Sequence, residues 1–167
     1  MKSIQKYKRI NVGYIRDNLM SNEEVIHMAK IHWYIYIPGL TMVILSFVTI
    51  AFMSELKEAG PFILMILFIG GFISLIKAFI FKISTELAIT TKRVIAKTGL
   101  IKRETLELNH SKVESFSIDQ SILGRLLDFG SIVVRGTGGG KTPIPSIDAP
   151  MTFRKEAMQI IDKVENN

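Results

Sequence analysis

The chain has no cysteine among its 167 residues. Disulfide staples, zinc ribbons and thiol catalysis are thereby excluded, in accord with a reducing compartment. Histidine is nearly as scarce. His27, His32 and His110 stand apart, without H-x-x-x-H or H-E-x-x-H spacing, so neither a metal site nor a metal cofactor is expected. A phosphate loop is missing too, although GTGGGKT at 136–142 imitates the end of one. Counting back from Gly140 gives Arg135 where the first glycine is required. Lys141 and Thr142 then lead into Pro143-Ile144-Pro145 rather than into a helix whose N-terminus could face a phosphate. No nucleotide is expected, and the stretch predicts a glycine-rich turn between two strands.

Concentrated charge of one sign is also absent. The net charge of +6 divides as +3 over residues 1–32, +1 over 33–82 and +2 over 83–167. So dispersed an excess suits anionic lipid headgroups better than a nucleic-acid-reading face, which gathers its charge on one element. No nucleophile and base share a legible spacing. Glu104, Glu107 and Glu114 alternate with apolar strand positions and are expected to face water, while Asp128 and Arg125 are placed to pair locally. The chain is therefore not expected to be an enzyme.

What is present in excess is apolar sequence, at 48% of all residues, and it is concentrated in two blocks. Trp33 to Met53 contains no charged residue, and Pro61 to Phe81 contains only Lys77. At about 1.5 Å per residue each block makes a helix about 30 Å long, which matches the hydrocarbon core of a bilayer. Ser54 to Gly60 is the whole connection, so an antiparallel transmembrane hairpin is predicted. Lys2, Lys6, Lys8, Arg9, Arg16 and Lys30 precede the first block, and Lys82, Lys92, Arg93 and Lys97 follow the second. The connection holds only Lys57, flanked by Glu55 and Glu58, so both termini are expected on the cytoplasmic side. The apolar run is too long, and begins too late, for a cleaved signal peptide.

Within the blocks, Trp33, Tyr34 and Tyr36 fall where an aromatic belt belongs. Gly70, Ser74 and Ala78 recur every four residues and place small side chains on one helix face, open to the other span or to another subunit. Lys77 is expected to snorkel to the interface and, with Trp33 and Tyr34, to anchor the hairpin there.

On either side of the blocks the pattern changes. Ser21-Asn22-Glu23-Glu24 resembles a capping box ahead of Val25-Ile26, so residues 1–32 are expected to hold a short helix or strand near the interface. After Lys82 come short alternating segments at 84–90, 93–98, 102–109, 113–119, 131–136 and 142–147, which predict a half-buried antiparallel sheet. SILGRLLDFG at 121–130 predicts one or two helical turns ending at Gly130. Phe153, Ala157, Ile160, Ile161 and Val164 then mark one stripe of a closing helix, with Asp148 as its cap and Pro150 in its first turn. A curled sheet with this helix over one end uses every element.

A hairpin of apolar helices followed by TTKRVIAKTGLIKRETLELNHSKVESFSIDQSILGRLLDFGSIVVRGTGGG resembles the bacterial pleckstrin-homology-like (bPH2) membrane proteins over residues 25–160. The most specific parts are Thr90 to Val94, Lys112 to Ser115, Gln120 to Gly130 and Gly136 to Gly139. The resemblance implies an α+β PH-like split β-barrel capped by its C-terminal helix and carried on a membrane α-helical hairpin. The implied division is an N-terminal segment (1–32), the hairpin (33–81) and a cytoplasmic PH-like domain (82–167), at the inner face of a bacterial cytoplasmic membrane. It further implies a non-enzymatic scaffold or adaptor that assembles with itself or with a partner membrane protein. Two alternatives are an anionic-lipid-binding module, docked through Lys92, Arg93, Lys102 and Arg103, and an accessory subunit of an exporter. Eukaryotic PH domains that read phosphoinositides carry a dense basic loop between their first two strands. Here Lys92-Arg93 is all that turn offers, so specific inositol-lipid recognition is not implied.

Overall fold

The computed structural model describes residues 13–165. Its elements, in chain order, are α1 (Gly13–Asp17), β1 (Val25–Met28), a 3₁₀ turn (Trp33–Tyr36), α2 (Ile37–Ala51), α3 (Met53–Leu56) and α4 (Ala59–Ser84). Then follow β2 (Glu86–Thr90), β3 (Arg93–Thr98), β4 (Glu104–Asn109), β5 (Val113–Asp119), α5 (Ile122–Leu126), β6 (Phe129–Gly136), β7 (Lys141–Asp148) and α6 (Pro150–Glu165). Lys2, Lys6, Lys8 and Arg9 lie outside the described residues. The chain divides into two units, one comprising residues up to His32 together with those from Ser84 onward, the other spanning Trp33–Ile83.

The first unit is built of two antiparallel sheets in the orders β1-β2-β3-β4 and β5-β6-β7. The alternating segments after Lys82 become β2 to β7, as their period of two dictates. Their inner faces supply Leu87, Ile89, Val94, Ala96, Phe116, Ile132, Val134, Ile144 and Ile147 to one core. The stripe of α6 completes it with Phe153, Ala157 and Ile161. Each Val, Leu, Ile or Phe side chain among them contributes about 1.5–3 kcal/mol when fully buried. Pro143 and Pro145 are tolerated because β7 is an edge strand, where a missing N–H interrupts no ladder on the outer side.

The expectation of a half-buried sheet fails at β2 and β3. Every residue of β2, and all of β3 but Thr98, is buried. The reason is the N-terminal segment. Residues 13–28 cover the outer face of the first sheet, packing Tyr14, Ile15, Leu19, Val25 and Met28 over Ala88 and Ile95. β1 joins the sheet itself, with Met28 opposite Ala88 and Val25 opposite Thr90.

Three boundary expectations are also corrected. The capping box at Ser21 opens no helix, and the short element expected there is the strand β1, from Val25. Residues 21 and 22 form a turn in which Asn22 takes φ 60°, and the Glu23 carboxylate accepts from the Met20 N–H at 2.7 Å. Gly130 does not end α5. Asp128 takes the left-handed backbone at φ 56°, and Gly130 belongs to β6, where a Cβ would lie 2.7 Å from the Asp119 carbonyl oxygen. Asp148 is the last residue of β7, and α6 begins after Ala149, whose carbonyl accepts from the Phe153 N–H at 3.0 Å. Ser121 does cap α5, accepting from the Gly124 N–H at 3.0 Å.

In the second unit, Trp33–Ala51 and Ala59–Ser84 are helical runs of 19 and 26 residues, long and apolar enough to cross a membrane. Only 11% and 6% of their most apolar stretches are buried within the structure, whereas the core helix of a soluble protein is covered on most of its surface. α3 occupies much of the predicted loop, and the turn back is made at Lys57, with φ 47°. The helices run antiparallel. A Cβ at Gly39 would stand 2.8 Å from the Leu75 side chain, and one at Gly71 would stand 2.8 Å from Val43.

Candidate functional site

The most heavily bonded side chain on the outer face of the first sheet is Arg93, at the start of β3. Its Nε and Nη2 donate to the two carboxylate oxygens of Glu23 at 2.9 and 3.0 Å. Nη1 donates to Glu107 on β4, and Nη2 also donates to the Asn18 carbonyl at 2.8 Å. The Thr90 hydroxyl donates to Glu23 at 2.6 Å, which ties the end of β2 into the same cluster. Burial pushes the Glu23 carboxyl up, but hydrogen bonds from Arg93, the Met20 N–H and Thr90 outweigh it and hold the group below the usual carboxylate range. The hydrogen-bonded Glu23 in turn raises Arg93, against the opposing effect of burial. Such a bidentate pair fixes geometry as well as charge.

This cluster alters the expected lipid-contact set. Arg93 is 6% exposed and its charge is matched by Glu23 and Glu107, so it is not available to a headgroup. Glu107, expected to be merely solvated, is one of its partners. Lys92 is exposed, and its ammonium donates to the Ser21 carbonyl at 2.7 Å. Lys102 and Arg103 are exposed on the turn at the other end of β3, and Lys102 lies 3.4 Å from Glu104. Since β3 is six residues long at about 3.3 Å per residue, the structure does not bring the four basic residues together.

A second buried carboxylate, Glu86, accepts from the N–H groups of Tyr14 and Ile15 at 3.2 and 3.0 Å and lies 3.8 Å from the Lys97 ammonium. Lys97 also sits 5.3 Å over the Tyr14 ring. These contacts hold α1 on the sheet. On the opposite flank of β1, His27 Nδ1 lies 2.8 Å from Glu156 of α6, and its ring packs 5.1 Å from Phe153. Burial depresses His27, Glu156 opposes that, and Lys30 adds to it, with a net shift below the usual histidine range.

The three histidines serve separate contacts. His32 stacks 5.2 Å from Phe129, and His110 places Nε2 3.0 Å from the Thr90 carbonyl. Among the described residues no group of three or more His, Asp or Glu side chains is placed to hold a metal ion. The glycine-rich stretch is the turn joining β6 to β7. The Gly139 N–H donates to the Gly136 carbonyl at 3.0 Å, and Lys141 opens a strand rather than a helix.

The small-residue positions of the hairpin separate as well. Ala78 is 8% exposed and Ser74 half-buried, but a Cβ at Gly70 would meet only Met42 Sδ, at 3.8 Å. The tight seam runs through Gly71 and Gly39, which every-fourth spacing from Gly70 passes over. Trp33 is 56% exposed, Tyr34 half-buried and Lys77 exposed. Lys82 rests its ammonium 5.7 Å over the Tyr36 ring.

Two short sheets closed at one end by a C-terminal helix have the architecture that the sequence resemblance implied. A family model described as the bacterial PH domain matches residues 35–167. The chain belongs to that family. No curated protein and no solved structure gives a match. The bacterial PH domain model begins after α1, β1 and Glu23, so the segment that buries Arg93 lies ahead of the matched region. Sequence reasoning missed Glu23 and β1 as parts of this domain. The one available signal was the charge at Glu23 amid Leu19, Met20, Val25 and Ile26, and it also suits a surface turn.

Proposed function

We propose that this PH domain is a non-enzymatic adaptor, anchored by α2 and α4 in a bacterial cytoplasmic membrane with both termini in the cytoplasm, and that it assembles with itself or with a partner membrane protein. One observation carries the proposal. The space between the two sheets is filled by the chain's own aliphatic and aromatic side chains, from Leu87 to Phe153, so the domain acts through its outer surface. β4 and β5 are edge strands, and a free strand edge is where a partner strand adds. The proposed orientation is supported by Arg16, Lys30, Lys82 and Lys92 outside the two helices against Lys57, between Glu55 and Glu58, in their connection. Two nearly uncharged helices make no polar pathway, which disfavours a transporter acting alone.

Native mass spectrometry of the full chain, extracted in its own lipid, tests the proposal. The expected result is a defined multiple of 18.8 kDa or a complex with a second polypeptide. A bare monomer under conditions that preserve known membrane complexes would overturn it.

A further inference from the structure

We infer that the turn between β3 and β4 is a bilayer-contact site, with Leu100 and Ile101 entering the interface of an anionic membrane and Lys102 and Arg103 meeting its headgroup phosphates. The inference rests on α2 and α4 being membrane spans. Ile101 is 98% exposed and Leu100 44%, and no large apolar side chain among the described residues is more open than Ile101. The turn is sharply formed. Gly99 takes φ 82°, and a Cβ there would lie 2.1 Å from the Lys102 carbonyl oxygen, so the backbone doubles back and projects the two apolar side chains at its tip.

Strand register places this tip. Glu86 stands opposite Lys97, so Gly99 is level with Ser84, where this unit receives the chain from α4. β1 runs toward the same end, its continuation bonding Ala29 to Leu87 before the chain leaves at His32. His32 and Ser84, the residues at which the chain passes between this unit and the helices, therefore lie at the same end of the sheet as the tip. The charges there are suitable, with two cations on the turn against Glu104 alone, while the Lys97 ammonium faces buried Glu86. Basic side chains flanking an apolar tip add attraction to anionic lipid.

A second apolar point lies on the same side. Ile122 and Leu126 of α5 are 88% and 79% exposed, and Gln120, leading into α5, donates to the carbonyl of Phe129, whose ring stacks on His32. Asp119 and Asp128 flank α5 against the single exposed Arg125 within it, so the attraction to negative lipid belongs to the turn.

The cysteine-free chain allows single spin labels in the full-length protein. Labels would be placed at Ile101→Cys, at Phe72→Cys within α4, and at Gly138→Cys on the β6–β7 turn. That turn lies at the far end, since Gly136 packs against Leu108 near the end of β4. In vesicles of phosphatidylcholine with phosphatidylglycerol, collisions with oxygen and with a water-soluble nickel chelate report depth. Positions 72 and 101 should favour oxygen several-fold, and position 138 should favour nickel. Phosphatidylcholine alone, or Lys102→Glu with Arg103→Glu, should return position 101 to the aqueous pattern. An aqueous 101 beside a lipid-exposed 72 overturns the inference and leaves the spans intact. An aqueous 72 removes the spans themselves. A label at 101 shielded from both reagents would mean a protein contact, a second copy included, and overturns the inference. Indifference to lipid charge overturns the assignment of Lys102 and Arg103.

Discussion

Glu23 and Arg93, 70 residues apart, close a bidentate ion pair in which each side chain is about as buried as the surrounding core. The pair joins the turn after α1 to the start of β3. It is one polar fastening of the N-terminal segment to the PH domain, with the Glu86 contacts to α1 as a second, beside the apolar one made by Ile15, Ala88 and Ile95.

Removing Glu23 leaves a buried guanidinium with Glu107 and the Asn18 carbonyl. Breaking a buried pair costs about 3–5 kcal/mol, and the remaining partners put Glu23→Gln at about 3 kcal/mol. Thermal unfolding of the detergent-solubilised chain should show the loss. Arg93→Met in the same chain should recover much of it, because no unpaired charge is then left inside. A double variant no more stable than Glu23→Gln alone would contradict this account.

The pH dependence has a definite sign. His27 lies below its ordinary 6.5 in the folded chain, so the unfolded chain takes up the proton first. Its contribution to stability is present above that ordinary value and is lost as pH falls through the depressed one. Glu23 lies below its ordinary 4.5, so its contribution goes the same way in a more acidic window. Melting temperature should fall in two stages on acidification, and His27→Gln should flatten the first. An unchanged slope between about pH 7 and about pH 5 would remove His27 from the account.

Gly71 and Gly70 are adjacent but not equivalent. A side chain at Gly71 meets Val43 Cγ2 at 2.8 Å and the Val43 backbone nitrogen at 3.0 Å, and one at Gly70 meets only the flexible end of Met42 at 3.8 Å. Gly71→Leu should cost about 1–3 kcal/mol or more through overpacking, whereas Gly70→Leu should leave the hairpin intact. If Gly70→Leu alone dissociates an assembled complex in native mass spectrometry, its open face is an inter-subunit contact. Equal losses of hairpin stability in both variants would refute the distinction.

Phe153 is 3% exposed and touches both Phe116, at 6.4 Å, and His27. Truncation to Ala should cost about 3–5 kcal/mol and release α6 from the sheets. Hydrogen exchange would reveal this as lost protection across 150–165, and retained protection there would argue against α6 as the plug of the core.

What the sequence determined by itself is whatever depends on local period and length. Two nearly uncharged blocks of about 20 residues dictate helices of bilayer length, a period of two marks β2 to β7, and the stripe from Phe153 to Val164 marks α6. Those signals survive because each resides within a few neighbouring residues. Tertiary structure decided the partners. That residues 13–28 cover β2 and β3, that Arg93 turns inward while Lys102 and Arg103 stay out, and that Gly71 rather than Gly70 meets the other helix all depend on register and helix phase between segments far apart in the chain. A salt bridge spanning 70 residues leaves no periodicity behind, because its energy depends on where the chain returns in space and not on what stands beside it in sequence.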